Sequence, residues 1–276
     1  MSCHARLSLD VTSEAGRSVA RYAHDGPLRI LQTLYPEGDG TCHNVLVHPP
    51  GGIVGGDVLD IDVQVGAGAH GLLTTPGATR FYRSAGEPGV QQARIRLASG
   101  ARFEWLPLEA ICYSGCRAEN VLHLELEPGA EVIGWDVCAL GLPEAGQPFS
   151  SGSVLQHLAL GEHWLERGRL DAGNTRLMDG PLGLAGRRCL ATLYFAAGAA
   201  LAPARREQGL ELAREVIGAH ALAGDAAATS PADRVVVVRV LAPLVEPAMD
   251  LLRRVRDAWR PGLWALPPTH PRLWSM

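Results

Sequence analysis

Apolar and polar residues alternate with a period of two through much of the first 200 residues. The clearest case is 59–65, where every second residue is Leu, Ile or Val and the residues between are Asp60, Asp62 and Gln64. Shorter stretches of the same kind lie at 5–11, 94–97 and 121–126. A period of two puts all the apolar side chains on one face of a strand. The pattern therefore predicts short strands, each with one buried face.

Three of these strands belong to a loose internal repeat. In DIDVQVGAGAHGLL, ARIRLASGARFEWL and HLELEPGAEVIGW, an alternating strand leads through a Gly-Ala pair into a second apolar strand. The Gly-Ala pairs lie at 68–69, 100–101 and 129–130. Glycine suits such turns because it adopts positive φ without strain. A repeat of about 30 residues favours stacked β-units that cover one another's apolar faces. A set of ordinary hairpins with similar turns is the alternative.

The pattern changes from strands to helices at about residue 205, after a hairpin and a loop. A hairpin is predicted at 154–170, and the Gly- and Asp-rich stretch 170–188 is predicted to be a loop. A first helix is predicted within 205–221. Its apolar face would be formed by Leu210, Ala213, Ile217 and Ala221.

A valine-rich stretch, 234–241, predicts a buried strand, and 246–260 predicts a second helix with Pro247 in its first turn. Met249, Leu252, Val255 and Trp259 would form the apolar side of that helix. The expected fold is a mainly β single domain, 1–276, of stacked strands (β-helix or solenoid-like) with about two helices towards the C-terminus. Residues 1–200 would be strand-rich, and a helix–strand–helix portion, 201–276, would pack on them.

Composition narrows the possible chemistry. All 25 basic residues are Arg, so imine chemistry on a lysine, a Walker A loop and a kinase-type strand lysine are excluded. A net charge of −4 gives no sign of a nucleic-acid surface. The first residues lack the pattern of a secretory signal, and no apolar run reaches 18 residues, so we expect a cytoplasmic protein. The six cysteines are then expected to be reduced and mostly buried.

The densest candidate segment is CHNVLVHPPGGIVGGD at 42–57. Its glycine pairs do not form a dinucleotide fingerprint, and a strand rather than a helix follows them. The better interpretation is a backbone that passes through a tight space and presents Asp57 at the start of a strand. Cys42, His43 and His48 are potential metal ligands, but no second ligand pair has zinc-site spacing. A structural role for each histidine is the alternative.

A second segment, LLTTPGATRFYRS at 72–84, places hydroxyl groups before a Pro-Gly turn. It predicts either a polar loop or a hydroxyl-lined passage flanked by Arg80 and Arg83. Ser84 has no G-x-S-x-G motif around it, so a nucleophilic hydrolase is disfavoured.

Four isolated acids lie near tryptophans or inside apolar strands: Glu104, Glu109, Asp136 and Glu166. A carboxylate inside a β-core has to be paired, hydrogen-bonded or bound to a cation. Satisfied structural acids and oxygen ligands along an internal path for a divalent ion both remain open.

Several blocks together resemble the urease accessory protein family UreD, also called UreH. They are GPLRILQTLYPEGDGTCH, HPPGGIVGGD, LLTTPGATRFYRS, EWLPLEAI, GWDVCALG and VVRVLAPLVEPAMDLLRRVRDAWRP. The resemblance runs from about Arg21 to Trp274 and keeps the order of the blocks. It departs from the family at CYSGC, 112–116, where a Phe-Asp-Gly-Ala type of turn is more usual. Arg80 also stands where Lys is usual.

The resemblance implies a non-enzymatic scaffold that acts with UreF and the GTPase UreG. The complex would dock on urease apoprotein and deliver nickel through an internal tunnel, with transient nickel(II) and no tightly bound cofactor. By position, the residues implied for this path are Asp57, Asp136, Glu166, Thr74, Thr75, Thr79 and His48. Ni²⁺ accepts imidazole, carboxylate and water ligands, and a transfer path needs weak successive sites. A stand-alone metal-dependent hydrolase and a purely structural adaptor are the alternatives.

Overall fold

The computed structural model describes residues 2–275, and in them the chain forms three α-helices and 18 strands. The helices are α1 (Thr175–Asp179), α2 (Pro203–Gly218) and α3 (Val245–Trp264). The strands are β1 (His4–Glu14), β2 (Arg17–Asp25), β3 (Arg29–Leu34), β4 (Cys42–Val47), β5 (Val58–Val65), β6 (His70–Thr74), β7 (Thr79–Phe81), β8 (Gly89–Leu97), β9 (Arg102–Leu106), β10 (Ala110–Cys112), β11 (Arg117–Leu126), β12 (Glu131–Leu142), β13 (Gln147–Pro148), β14 (Ser153–Leu160), β15 (Trp164–Asp171), β16 (Cys189–Ala197), β17 (Ala226–Ala232) and β18 (Val235–Ala242). Short 3₁₀ turns lie at Pro143–Ala145 and Arg272–Ser275.

The strands form two sheets. The first sheet has the order β15-β14-β11-β8-β5-β1-β2, and the main path of the second is β17-β18-β16-β12-β9-β6-β4-β3. Neighbours among β5, β8, β11 and β14 are parallel in the first sheet, as are neighbours among β4, β6, β9 and β12 in the second. Three successive units therefore pass from the first sheet to the second, through β5–β6, β8–β9 and β11–β12. The prediction of a mainly β, solenoid-like fold is confirmed.

The Gly-Ala pairs are the turns between the two sheets. Gly68, Gly100 and Gly129 have φ of +67°, +70° and +84°, which is the left-handed region where glycine is favoured. The turns stack on one another, because a Cβ on Gly129 would lie 3.4 Å from the backbone nitrogen of Gly100. The alanine that follows each glycine is buried between the sheets. The repeat seen in the sequence is thus a column of stacked turns.

The second sheet separates two apolar cores. One core fills the space between the sheets, and the other lies between the second sheet and helices α2 and α3. The valine run of β18 is buried on both faces, because Val235 and Val237 enter the first core while Val236 and Val238 enter the second. The predicted apolar side of α3 is fully buried in the second core, so this helix is a core element.

The following details differ from the prediction. The stretch 170–188 is not a pure loop, because Asn174 caps the short helix α1 by accepting a hydrogen bond from the Leu177 nitrogen. Ala221 lies beyond the end of α2 and is exposed, and Leu222 is buried in its place. Strand β17, which pairs with β18, was not predicted because AAATSPA lacks strong β-formers. None of the helices described has the length and apolar character of a bilayer-spanning segment.

Candidate functional site

Asp136 is the centre of a polar contact between the two sheets. It belongs to β12 in the second sheet, and both carboxylate oxygens accept hydrogen bonds from the first sheet, each 2.9 Å long. The donors are the side-chain amides of Asn120 and Gln156, which lie opposite each other on β11 and β14. Burial raises the pKa of Asp136 to about 6, and the two amides only partly offset this.

Further polar contacts lead from Asp136 to a cavity. The Asn120 Oδ1 atom accepts a 3.3 Å hydrogen bond from Gln91 on β8, and Gln91 Oε1 lies 3.5 Å from the Thr79 hydroxyl. Thr79 and Gln91 line a cavity of about 180 Å³, together with His48 and Thr75. An unbroken series of polar side chains therefore joins the cavity to the buried carboxylate.

In the opposite direction, the residues in register with Asp136 lead to a partly exposed edge of the two sheets. Across the second sheet, Asp136 is in register with Thr192 on β16, and Thr192 is in register with Arg239 on β18. Arg239 forms an ion pair with Glu166 on β15, the edge strand of the first sheet. The Arg239 and Glu166 side chains are 45% and 25% exposed. We call this set the interior polar row; its members are Thr79, Gln91, Asn120, Asp136, Gln156, Thr192, Arg239 and Glu166.

A buried tyrosine faces the same space. The Tyr194 hydroxyl lies over Gly134, since a Cβ on that glycine would be 2.2 Å from it. Burial and the charge of Asp136 raise the pKa of Tyr194 well above its usual value. The hydroxyl is fully buried and forms no hydrogen bond with the residues described.

Of the residues implied by the resemblance, the row contains Asp136, Glu166 and Thr79, and its cavity contains His48 and Thr75. Burial lowers the pKa of the half-buried His48. The Thr75 hydroxyl is held by backbone groups, because it donates to the Gly77 carbonyl of its own turn and accepts from the Leu108 nitrogen.

Asp57 and Thr74 lie outside the row. The Asp57 carboxylate accepts backbone hydrogen bonds from Cys3 and Val54, at 2.7 and 3.0 Å, and so fastens the start of β1 to the glycine-rich turn. The Thr74 hydroxyl donates to the Leu106 carbonyl and accepts from the Trp274 indole on the helix side of the second sheet. Both have a structural explanation in these contacts.

The negative charge of Glu104 is balanced by arginines of the C-terminal helix. It faces the helices and is fully buried, and its carboxylate pairs with Arg256 and Arg260 of α3. Burial alone would raise the pKa of Glu104, but Arg256, His70 (its Nε2 is 3.7 Å from the carboxylate) and Arg260 hold it well below the usual range. Arg260 also pairs with Glu37, whose other oxygen is 2.7 Å from His43. This cluster binds the C-terminal helix to the solenoid.

The six cysteines are free, and five of them are buried, as predicted. The Cys112 sulfur lies 3.9 Å from that of Cys138. The neighbouring thiols of Cys116 and Cys138, together with burial, raise the pKa of Cys112 well above its usual value. A thiol held protonated is a poor metal ligand. Within residues 2–275, no group of three or more His, Cys, Asp or Glu side chains is arranged to hold a metal ion.

Sequence reasoning missed the amides that hold Asp136 as well as Thr192, Arg239 and Tyr194. A signal for some of them was present. Asn120 and Gln156 are polar residues at positions that the period of two places inside, next to Leu122 and between Val154 and Leu158. A polar residue at an expected core position marks a buried polar contact.

These features define a class of protein: a β-solenoid-like fold with a row of polar side chains between its sheets and two long helices covering one face. The sequence pattern of the family described as UreD urease accessory protein matches residues 3–275, and the chain belongs to that family. The resemblance inferred from the sequence blocks is therefore confirmed.

Named relatives match over essentially their whole length. The chain is 65% identical over 275 residues to a protein of Variovorax paradoxus named urease accessory protein UreD, covering 100% of both chains. It is 64% identical over 276 residues to a protein of the same name from Paracidovorax citrulli, again covering 100% of both. A third protein of that name, from Methylibium petroleiphilum, is 50% identical over 99% of this chain and 97% of its own.

Proposed function

We propose that this urease accessory protein is a non-enzymatic scaffold that passes nickel(II) along the interior polar row to urease. It acts in the cytoplasm with UreF and UreG and docks on urease apoprotein. The observation that carries the proposal is the series of contacts from the cavity at His48 and Thr79, through Gln91 and Asn120, to Asp136.

The uncancelled negative charge of Asp136 would attract a cation that moves along the row. Glu104 is balanced by two guanidinium groups, whereas Asp136 is hydrogen-bonded by the neutral amides of Asn120 and Gln156. With a pKa of about 6, Asp136 is mostly ionised at neutral pH and carries a charge that no hydrogen-bonding partner cancels. A buried carboxylate of this kind attracts a divalent ion.

The row offers weak successive contacts instead of a closed site. His48 at the cavity is favoured in its neutral form, which is the form that binds a metal. Hydroxyl and amide oxygens follow, then the Asp136 carboxylate, and Glu166 stands at the far edge. Glu166 is bound to Arg239, so an ion that reaches it has to displace that guanidinium. Contacts of this strength let an ion move on, whereas a tetrahedral site would retain it.

Co-expression with UreF, UreG and the urease subunits tests the scaffold part. The wild-type chain should co-purify with UreF and UreG and raise the nickel content of urease. Failure to co-purify with UreF would contradict the scaffold. The variants Glu166→Gln and Asp136→Asn test the nickel path. If both bind the partners normally and the nickel content of urease is unchanged, the protein acts as an adaptor and nickel does not pass along the row.

A further inference from the structure

We propose that His123 and His157 form a second metal-binding site, on the outer face of the first sheet, for a borderline divalent cation such as Ni²⁺, Cu²⁺ or Zn²⁺. The two imidazoles supply two ligands, and water completes the coordination. Imidazole is a good ligand for each of these ions. The site is separate from the interior polar row and does not depend on the proposed function.

The backbone brings the two rings together. His123 lies on β11 and His157 on β14, two adjacent parallel strands in which His157 is in register with Val121. The histidines are therefore diagonal neighbours on one face. Their ring centroids are 4.9 Å apart and the ring planes meet at 52°. Because the strands are fixed by the sheet, ordering two ligands costs little conformational entropy.

Both rings are accessible. Each side chain is partly exposed. Within residues 2–275, the structure gives neither ring a hydrogen bond, so no protein group competes for the nitrogen lone pairs. Burial, and then His123 and Arg167, lower the pKa of His157, which favours its neutral form. A histidine has to be neutral to bind a metal ion.

The neighbouring charges set the strength of the site. Arg94 is in register with His123, and Arg167 with His157. Arg94 lies 3.8 Å from Glu125, which moderates its charge. The remaining cationic character opposes tight binding of a divalent ion. The site is therefore weak and exchangeable, which distinguishes it from a closed structural site with four protein ligands.

The outer pair and Asp136 lie on opposite sides of the sheet. Gln156 points inward to Asp136, and its neighbour His157 points outward because side chains alternate along a strand. Metal binding at the two places can therefore be separated by mutation.

Titration of the full-length, metal-stripped chain tests the proposal. Ni²⁺ binding is measured by calorimetry, and Cu²⁺ binding by electron paramagnetic resonance, which detects coordinating nitrogen. His123→Gln and His157→Gln should each weaken one binding event at least about tenfold, as lost metal contacts commonly do. The double variant should weaken the same binding event further and affect no second event, since both rings hold one ion. His24→Gln, an exposed histidine on β2 beside Tyr22, is the matched control and should bind like wild type.

Equal affinity and stoichiometry in wild type and the double variant would overturn the proposal. So would loss of the same binding event in Asp136→Asn, because the ion would then lie inside the protein. Circular dichroism of each variant confirms that the fold is retained. Failure of nickel delivery in cells bears on the proposed function and leaves this site untouched.

Discussion

Glu166 and Arg239 form an ion pair that joins the edge strand of the first sheet to the second sheet. The pair is the solvent-exposed end of the interior polar row. Exposed ion pairs contribute little to stability, because water screens them. The pair is thus better suited to open and close than to hold the sheets together.

Arg239→Gln should therefore change the free energy of unfolding by less than about 1 kcal/mol. Urea denaturation of wild type and variant at one pH measures the difference. A loss of about 3 kcal/mol or more would show that the pair is a structural fastener, as buried pairs are.

Glu104→Gln should be strongly destabilising. The substitution leaves Arg256 and Arg260 buried, with the carboxylate that neutralised them gone. Breaking a buried pair in this way costs about 3–5 kcal/mol. Chemical denaturation measures the loss. Glu207→Gln is the control, because its pair with Arg214 has both side chains more than half exposed and should contribute under about 1 kcal/mol.

Asp136 should make stability depend on pH with a definite sign. Its pKa is about 6 in the folded chain against 3.8 ordinarily, so the folded state holds the proton more tightly. Its contribution to stability is present below about pH 4 and is lost as the pH rises through about 6. A shift of about two pKa units changes the free energy of unfolding by about 3 kcal/mol over this pH range.

Asp136→Asn should remove this dependence. Relative to wild type, the variant should gain stability as the pH rises from about 4 to about 7. Denaturation at several pH values in that range, with exposed Asp10→Asn as control, measures the change. Parallel curves for wild type and Asp136→Asn would contradict the raised pKa.

The stacked turns should be sensitive to a single methyl group. Gly129 has φ of +84°, and a Cβ there would lie 3.4 Å from the Gly100 nitrogen and 3.5 Å from the Ser99 hydroxyl. Gly129→Ala should cost about 1–2 kcal/mol from the left-handed backbone alone. Gly77→Ala should be nearly neutral, since its added Cβ has nothing within 4 Å and its φ is ordinary. Thermal unfolding compares the two, and equal effects would contradict the strain expected at the left-handed turn.

The solenoid was readable from the sequence because its signals are local. The alternation of each strand, and each Gly-Ala turn at 68–69, 100–101 and 129–130, can be recognised within a window of about ten residues. Helix α3 was likewise predictable, from the helical spacing of its apolar residues. Strand β17 was not, because its pairing with β18 outweighs a weak propensity.

The candidate site was readable only in part. The resemblance pointed to Asp136 and Glu166, but the partners of these acids come from distant strands. Arg239 is 73 residues from Glu166, and Gln156 is 20 from Asp136. The resemblance pointed to Asp57 as well, and Glu104 lies in the same kind of sequence surroundings as Asp136, yet backbone amides hold Asp57 and arginines hold Glu104. Only the fold decides which acid keeps an uncancelled charge.

The most direct measurement is the nickel content of urease purified from cells at limiting nickel. The cells carry UreF, UreG and either wild-type, Asp136→Asn or Asp10→Asn protein. Nickel per urease active site should fall several-fold with Asp136→Asn and stay at the wild-type level with Asp10→Asn, while UreF capture is equal in all three. Wild-type nickel content with Asp136→Asn would contradict passage along the interior polar row.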